Sequence, residues 1–545
     1  MVALRGALPL LLLHFLALAP WSAALAQTDQ ASAGESVYRK GVLPSGRPLL
    51  GEREGGGTVE GLAAACVTCH RRSGLGSYEG QSVIPPIIGR YLFRDGAHNV
   101  SDVDLPHVQG FSLRRSAYTD ATLARAIRDG LDSQGRKLGY LMPRYQLDKA
   151  TMASLTGYLK DLTSAPVPGV TPDVLHFATI ITPDADPTAR QGMLDVLNQF
   201  FADKNGGYRG EAPALRSNRG VMYRVTRKWS LHVWELTGPP QTWEAQLERH
   251  LAASPVFAVL SGLGGRTWEP VHRFCERSRL PCLLPNLELP VVAEEDFYSV
   301  YYSKGVVLEA ELVAKSLAEK AAALGVRRLV QVLRAGDVGE EAARVLQAAA
   351  GHSGLEVVLR TVDGAEPRKA LAAALEGVGA GDAVMLWLRG PDLATLPEPP
   401  GASQLIFASG LMGRLEEAPL PASWRKATLL TYPFDLPDAR RVRMNFPLGW
   451  FRVRRLPVVA ERVQTDTYLA CVILSETLGH MLDSFVREYL IERMEMLLSH
   501  RVVNGYYPRL GLAPGQRFGS KGGHLVRFAH PSGTALLREG NWLVP

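Results

Sequence analysis

Apolar and polar positions follow different rules in different stretches of this 545-residue chain. Near the start, Leu8 to Leu18 is a short apolar run, too short to span a bilayer comfortably. Further on, Asp148 precedes a segment in which Met152, Leu155 and Leu159 recur at helical spacing, so a helix capped by Asp148 is expected there. Thr163 to Pro172 is rich in proline and small residues and reads as a semi-rigid connector. From Leu175 onward the pattern changes. Short apolar runs at Leu175–Ile181, Val256–Leu260, Arg328–Leu333, Leu355–Val362, Ala383–Leu388 and Leu405–Ala408 predict strands. Thr188–Phe201 and Glu340–Ala350 carry helical periodicity between them. Such alternation predicts an α/β architecture with parallel sheets covered on both faces.

The opening run is best explained as an export signal. Arg5 supplies a positive n-region, and Ala24-Leu25-Ala26 is a small-x-small cleavage site. Cleavage after Ala26 makes Gln27 the mature start and leaves 519 residues (545 − 26), with a periplasmic destination; a retained membrane anchor is the alternative. No other apolar run approaches the length of a spanning helix, so no membrane span is expected after signal removal. The remaining length calls for two or three domains. A formal charge of +6 is mild for this length. With no nucleic-acid motif in sight, it favours acidic protein surfaces or small anions over nucleic acid as partners.

Cys66-Val67-Thr68-Cys69-His70 is the most informative chemistry in the chain. Cys-x-x-Cys-His is the attachment pattern of c-type haem: two thiols add to the porphyrin vinyl groups, and the adjacent imidazole ligates iron. Half a zinc site is a rival reading, but there is no second cysteine pair at usable spacing. A redox dithiol is another, but such motifs sit at a strand-to-helix junction, unlike the flanks Gly61–Ala65 and Arg71–Gly76. The second iron ligand is expected to be Met142, in Gly139-Tyr140-Leu141-Met142-Pro143-Arg144-Tyr145. A thioether favours reduced iron, and Pro143 stiffens the loop that presents it. Met152 competes from within a helix, and His98 and His107 compete from loop-like sequence. Arg71, Arg72, Arg90, Arg114, Arg115, Arg136, Lys137 and Arg144 make this region basic. They serve either to steer an acidic electron donor or as counter-charge for haem propionates.

On these residues, Ala33 to Leu162 resembles a class I cytochrome c, a small all-α domain. The resemblance implies that Cys66 and Cys69 bind one haem c covalently, with His70 proximal and Met142 distal. It also implies that Tyr158 is the closing-helix aromatic, and that the Pro85-Pro86-Ile87 stretch offers a carbonyl to orient the histidine ring.

Two of the remaining cysteines, Cys275 and Cys282, are expected to form a local disulfide in an oxidising compartment; two reduced core thiols are the alternative. Cys471 lies in an apolar helix-like run and reads as a small buried hydrophobe. Val174 to Pro545 resembles a type I periplasmic binding protein of the amino-acid ABC-transporter kind. The resemblance is carried by the strand, Ser-Gly loop and helix at Ala258–Phe274, by Cys275–Asn286, by Tyr298–Tyr302 opening a helix at Gly305–Leu324, and by Val330–Val357. It implies two α/β lobes with a small-molecule cleft at the strand carboxyl ends, faced by Ser261, Gly262, Tyr301, Tyr302 and Asp337. Gly264-Gly265 is not a phosphate loop, lacking the spacing and the lysine.

The expected organisation is therefore signal peptide 1–26, cytochrome c domain 27–165, linker 166–174 and binding-protein-like domain 175–545. The expected function is single-electron transfer through His/Met-ligated haem, with no bond-making chemistry of its own. The second domain then docks partners or senses a ligand. Similar fusions occur beside quinoprotein alcohol dehydrogenases, so the resemblance implies such a dehydrogenase, or another cytochrome, as redox partner. The alternative is a solute-binding or sensor protein with a regulatory haem. A peroxidase-like enzyme would need an open distal position and, if dihaem, a second Cys-x-x-Cys-His, which is absent.

Overall fold

A computed structural model describes residues 33–80, 82–93, 115–206, 215–216, 222–223, 227–293, 296–364, 366–400, 405–414, 420–481, 484–501 and 503–545. The expected signal peptide and His98, His107 and Arg114 lie outside these residues. The chain separates into two compact units. One runs to Pro166 and also takes in two short later segments, Leu215–Tyr223 and Met481–Tyr489.

In the first unit, residues 33–40 are helical, followed by the helices Cys66–His70, Gly89–Leu92, Asp120–Asp129 and Lys149–Asp161. Asp148 caps the last of these by accepting from the Thr151 amide at 2.8 Å. Met152, Leu155 and Leu159 are buried, as the periodicity predicts. Helix 33–40 crosses Lys149–Asp161 very closely: a Cβ at Gly34 would sit 2.3 Å from the Ser154 carbonyl oxygen. Beside the crossing, the Tyr38 and Tyr158 rings lie 5.2 Å apart. The all-α expectation needs correcting. Leu50–Glu52 pairs antiparallel with Thr58–Glu60, and Ser77–Glu79 with Ser82–Ile84. Glycines turn both hairpins: Gly55 and Gly56 have φ of 107° and 91°, and Gly80 has φ of 60°.

The second unit is a two-lobed α/β structure. Its first sheet has the spatial order Ser299–Val300, Cys282–Leu283, Ala258–Leu260, Val174–Ile181, Lys228–Glu235, all parallel. Its second sheet runs Glu356–Thr361, Arg328–Leu333, Asp382–Trp387, Leu405–Ala408, Thr428–Tyr432 in parallel. Two antiparallel strands, His524–Phe528 and Leu536–Arg538, extend that second sheet, so the all-parallel expectation holds only in part. The chain passes from the first lobe to the second after Tyr302. It returns along helix Pro437–Arg454, whose Trp450 donates to Asp203 at 3.0 Å. It crosses again between Phe518, bridged to Tyr301, and His524.

Cys275 and Cys282 are not joined, which corrects the expected disulfide. Cys275 sits on helix Glu269–Arg277 and Cys282 on a strand. Both thiols are buried in one apolar cluster with Trp234, Trp268 and Phe274, where they act as small hydrophobes. Cys471 is likewise fully buried.

Candidate functional site

The haem-motif residues line a cavity of about 570 Å³ in the first unit. Cys66, Cys69 and His70 lie on one short helix, and Met142 reaches the same cavity from a turn closed by its own amide on the Gly139 carbonyl at 3.1 Å. Leu92, Leu123, Ile127, Leu155 and Leu159 make much of the wall apolar. The methionine loop is fixed from several sides. Arg144 exchanges backbone hydrogen bonds with Glu52 at 2.8 and 3.0 Å, and its guanidinium donates to the Met142 carbonyl. Pro143 and Tyr145 are buried, as a rigid presenting loop requires.

Electrostatics sort the possible chemistries. The His70 ring Nδ1 lies 2.9 Å from the Pro85 carbonyl oxygen. A carbonyl only accepts, so Nδ1 carries the proton and Nε2 keeps its lone pair for a metal. Burial holds the imidazole down to about 4, outweighing the Pro85 hydrogen bond, so it is neutral near pH 7. Burial pushes the Cys66 thiol up to about 12, and Cys69 is also raised, chiefly by burial. A redox dithiol is activated by the reverse shift. Arg53, Arg115 and Arg136 also line the cavity. Much of the basic character read from the sequence is engaged locally. Arg115 donates to the carbonyls of Tyr91 and Leu92, Arg136 to Asp132, and Lys137 to Glu54.

In the second unit the sequence-predicted cleft residues are placed as follows. Ser261, with φ of 50°, is fully buried. Its Oγ lies 2.9 Å from Thr467 Oγ1 and accepts from Asn286 Nδ2 at 3.1 Å. Gly262 has no room for a side chain, since a Cβ would meet Trp268 at 2.5 Å. Tyr302 donates to the Asp466 carbonyl and stacks on Tyr507 at 5.2 Å. Ser261 and Tyr302 thus meet at adjacent residues of helix Glu461–Met481. Tyr301 turns into the core instead, its hydroxyl 2.7 Å from His272 Nδ1 and its ring stacked on Phe518. Asp337 receives Arg389 at 2.7 Å through both carboxylate oxygens. Burial alone would raise its pKa, but the Arg389 hydrogen bonds and charge hold it below the usual carboxylate range. Sequence reasoning missed Thr467, Asp466, Asn286, Glu288 and Arg389. Arg389 alone left a signal, as a charge at the carboxyl end of an apolar strand.

No protein-family model and no curated protein matches this sequence. Solved structures of similar fold exist. A fatty acid ABC transporter substrate-binding protein from Thermomonospora curvata shares 16% identity, covering 70% of this chain and 95% of its own, with a TM-score of 0.49. A branched chain amino acid ABC transporter from Thermus thermophilus with bound valine shares 12%, covering 69% and 98%, with a TM-score of 0.48. A solute binding protein from R. palustris in complex with benzoate shares 12%, covering 68% and 97%, with a TM-score of 0.48. Among the described residues, no helix is long and apolar enough to cross a membrane.

Proposed function

We propose that this chain is a periplasmic c-type haem protein that passes single electrons, built together with a solute-binding-protein-like module. One observation carries the reading. Two protonated thiols, an imidazole with a fixed tautomer and a thioether converge on one largely apolar cavity. Its volume falls within the roughly 300–1,000 Å³ common for cofactor sites. Cys66 and Cys69 would hold haem c covalently, and His70 and Met142 would supply the nitrogen and sulfur that ligate its iron. When bound, the haem supplies a one-electron couple. The chain's own residues do the rest. Pro85 orients His70, Arg144 and Tyr145 fix the methionine loop, and Arg53, Arg115 and Arg136 line the cavity, where their charge would favour the haem propionates. A quinoprotein dehydrogenase or another cytochrome is the proposed redox partner. No reaction of its own is assigned.

The deciding experiment is an optical spectrum of oxidised and reduced protein from a host that matures c-type haem. A weak long-wavelength band of methionine ligation in the oxidised state, lost in Met142→Ala, is expected. A high-spin spectrum without that band overturns six-coordinate electron transfer.

The architecture of the larger unit favours a second reading, a solute-binding or sensing protein with a regulatory haem. Loops that follow strands of the two sheets approach one another at Arg389 and Glu288, 2.8 Å apart, and strand carboxyl ends are the usual ligand position in open α/β sheets. In that case adding a small carboxylate, with valine and benzoate as probes, shifts the haem potential, since coupling between sites is reciprocal. An unchanged potential sinks this reading and leaves the first intact.

A further inference from the structure

The rims of the cleft in the larger unit are joined by side chains of the chain itself. Arg389 follows strand Asp382–Trp387 of the second lobe, and Glu288 follows strand Cys282–Leu283 of the first. The Arg389 guanidinium donates through Nη2 to Glu288 at 2.8 Å, and through Nε and Nη2 to Asp337 at 2.7 Å each. One cation therefore bridges an acid of its own lobe and an acid of the opposite lobe. Two further approaches lie along the same rims. Arg414 of the second lobe reaches Asp186 of the first at 4.0 Å. Arg266 of the first comes within 3.7 Å of the position a Gly336 side chain would start from, beside Asp337. Below the rim, the Ser261 hydroxyl is occupied by Thr467 and Asn286.

We propose that this unit is latched shut by its own charges, with Arg389 as the internal occupant of the cleft. Acid and base are already matched across the rims. A small zwitterion entering the cleft would have to break the Glu288–Arg389 pair to find partners. The lobes therefore stay closed without solute, and disruption of this pair opens them. Arg389 is 40% exposed and Glu288 24%, so the latch is accessible to salt. The Debye length falls from about 10 Å at 0.1 M to about 3 Å at 1 M, which weakens such pairs. The proposal is independent of the haem, whose spectrum serves as a separate control.

The test uses the full haem-loaded chain carrying Glu248→Cys on the first lobe and Arg344→Cys on the second, both spin-labelled for distance measurement. A single short distance is expected at low salt, unchanged by valine. Glu288→Gln removes only the interlobe arm and leaves Arg389 on Asp337. It should raise the population of a longer distance several-fold. Equal distance distributions in the parent and Glu288→Gln, or a parent already open at low salt, overturn the latch. If Glu288→Gln does not fold, a salt titration of the parent from about 0.1 M to about 1 M decides: no opening overturns the proposal. An unchanged haem spectrum throughout keeps this outcome apart from the haem assignment.

Discussion

The phenol of Tyr145 donates a 2.8 Å hydrogen bond to the carbonyl of Ala64, joining the methionine loop to the residues just before Cys66. The two positions are 81 residues apart, so this contact closes the cavity rather than decorating one element. Tyr145 is buried, and its amide also donates to the Ile127 carbonyl at 3.0 Å. Tyr145→Phe leaves the shape intact but strips a buried acceptor of this donor. The expected loss is about 1–3 kcal/mol in urea unfolding of the haem-loaded protein. An unchanged midpoint would mean that the phenol does not hold the loop.

Gly130 ends helix Asp120–Asp129 with φ of 69°, where a residue with a side chain is strained. A Cβ there would lie 1.7 Å from Arg144 Nε, and Arg144 is the residue that holds the Met142 carbonyl. Gly130→Ala should therefore cost about 1–3 kcal/mol and also weaken the methionine band. Adding Arg144→Ala removes the clash but not the backbone strain. The double variant should be more stable than the sum of the two single losses predicts. Strict additivity in thermal melts would separate Gly130 from the methionine loop.

Some of this architecture can be read from local sequence and some cannot, for identifiable reasons. Arg328–Leu333 and Leu405–Ala408 are visible as apolar runs because both faces of a parallel sheet are covered. Lys228–Glu235 escapes notice because it is an edge strand with several exposed positions. The antiparallel strand His524–Phe528 pairs with Thr428–Tyr432, nearly a hundred residues earlier, and no local pattern announces that partner. The Cys66–His70 motif is legible because its residues are contiguous in the chain. The cleft is only half legible. Strand ends such as Ser261 and Asp337 can be found by position, but Thr467 and Arg389, which engage them, come from distant stretches.

The cysteine pair shows how spacing alone misleads. Cys275 and Cys282 share a core, yet one is presented by a helix and the other by a strand. Alkylation of the native protein should leave both unlabelled, along with the buried Cys471. Alkylation in denaturant without reductant should label all three. Mass spectrometry showing Cys275 and Cys282 blocked until reduction would restore the disulfide.

Glu309 carries the clearest pH dependence in the larger unit. Its carboxylate is fully buried and accepts from the Gly410 and Leu411 amides at 2.8 and 3.0 Å and from Thr431 at 2.8 Å, with Ser409 donating as well. Burial nevertheless pushes its pKa from 4.5 up to about 7, the hydrogen bonds recovering only part of the cost. The folded state thus binds this proton more tightly than the unfolded state. Stability is full below about pH 4.5, falls as the pH rises to about 7, and is flat above. That gap corresponds to at most about 3 kcal/mol. Asp466 acts in the same direction: burial raises it to about 7 against Arg462 and Arg440. Urea unfolding at about pH 5 and about pH 8 should therefore show a loss in the parent chain that Glu309→Gln reduces and Glu309→Gln with Asp466→Asn largely abolishes. An identical loss in all three proteins would place the titration elsewhere.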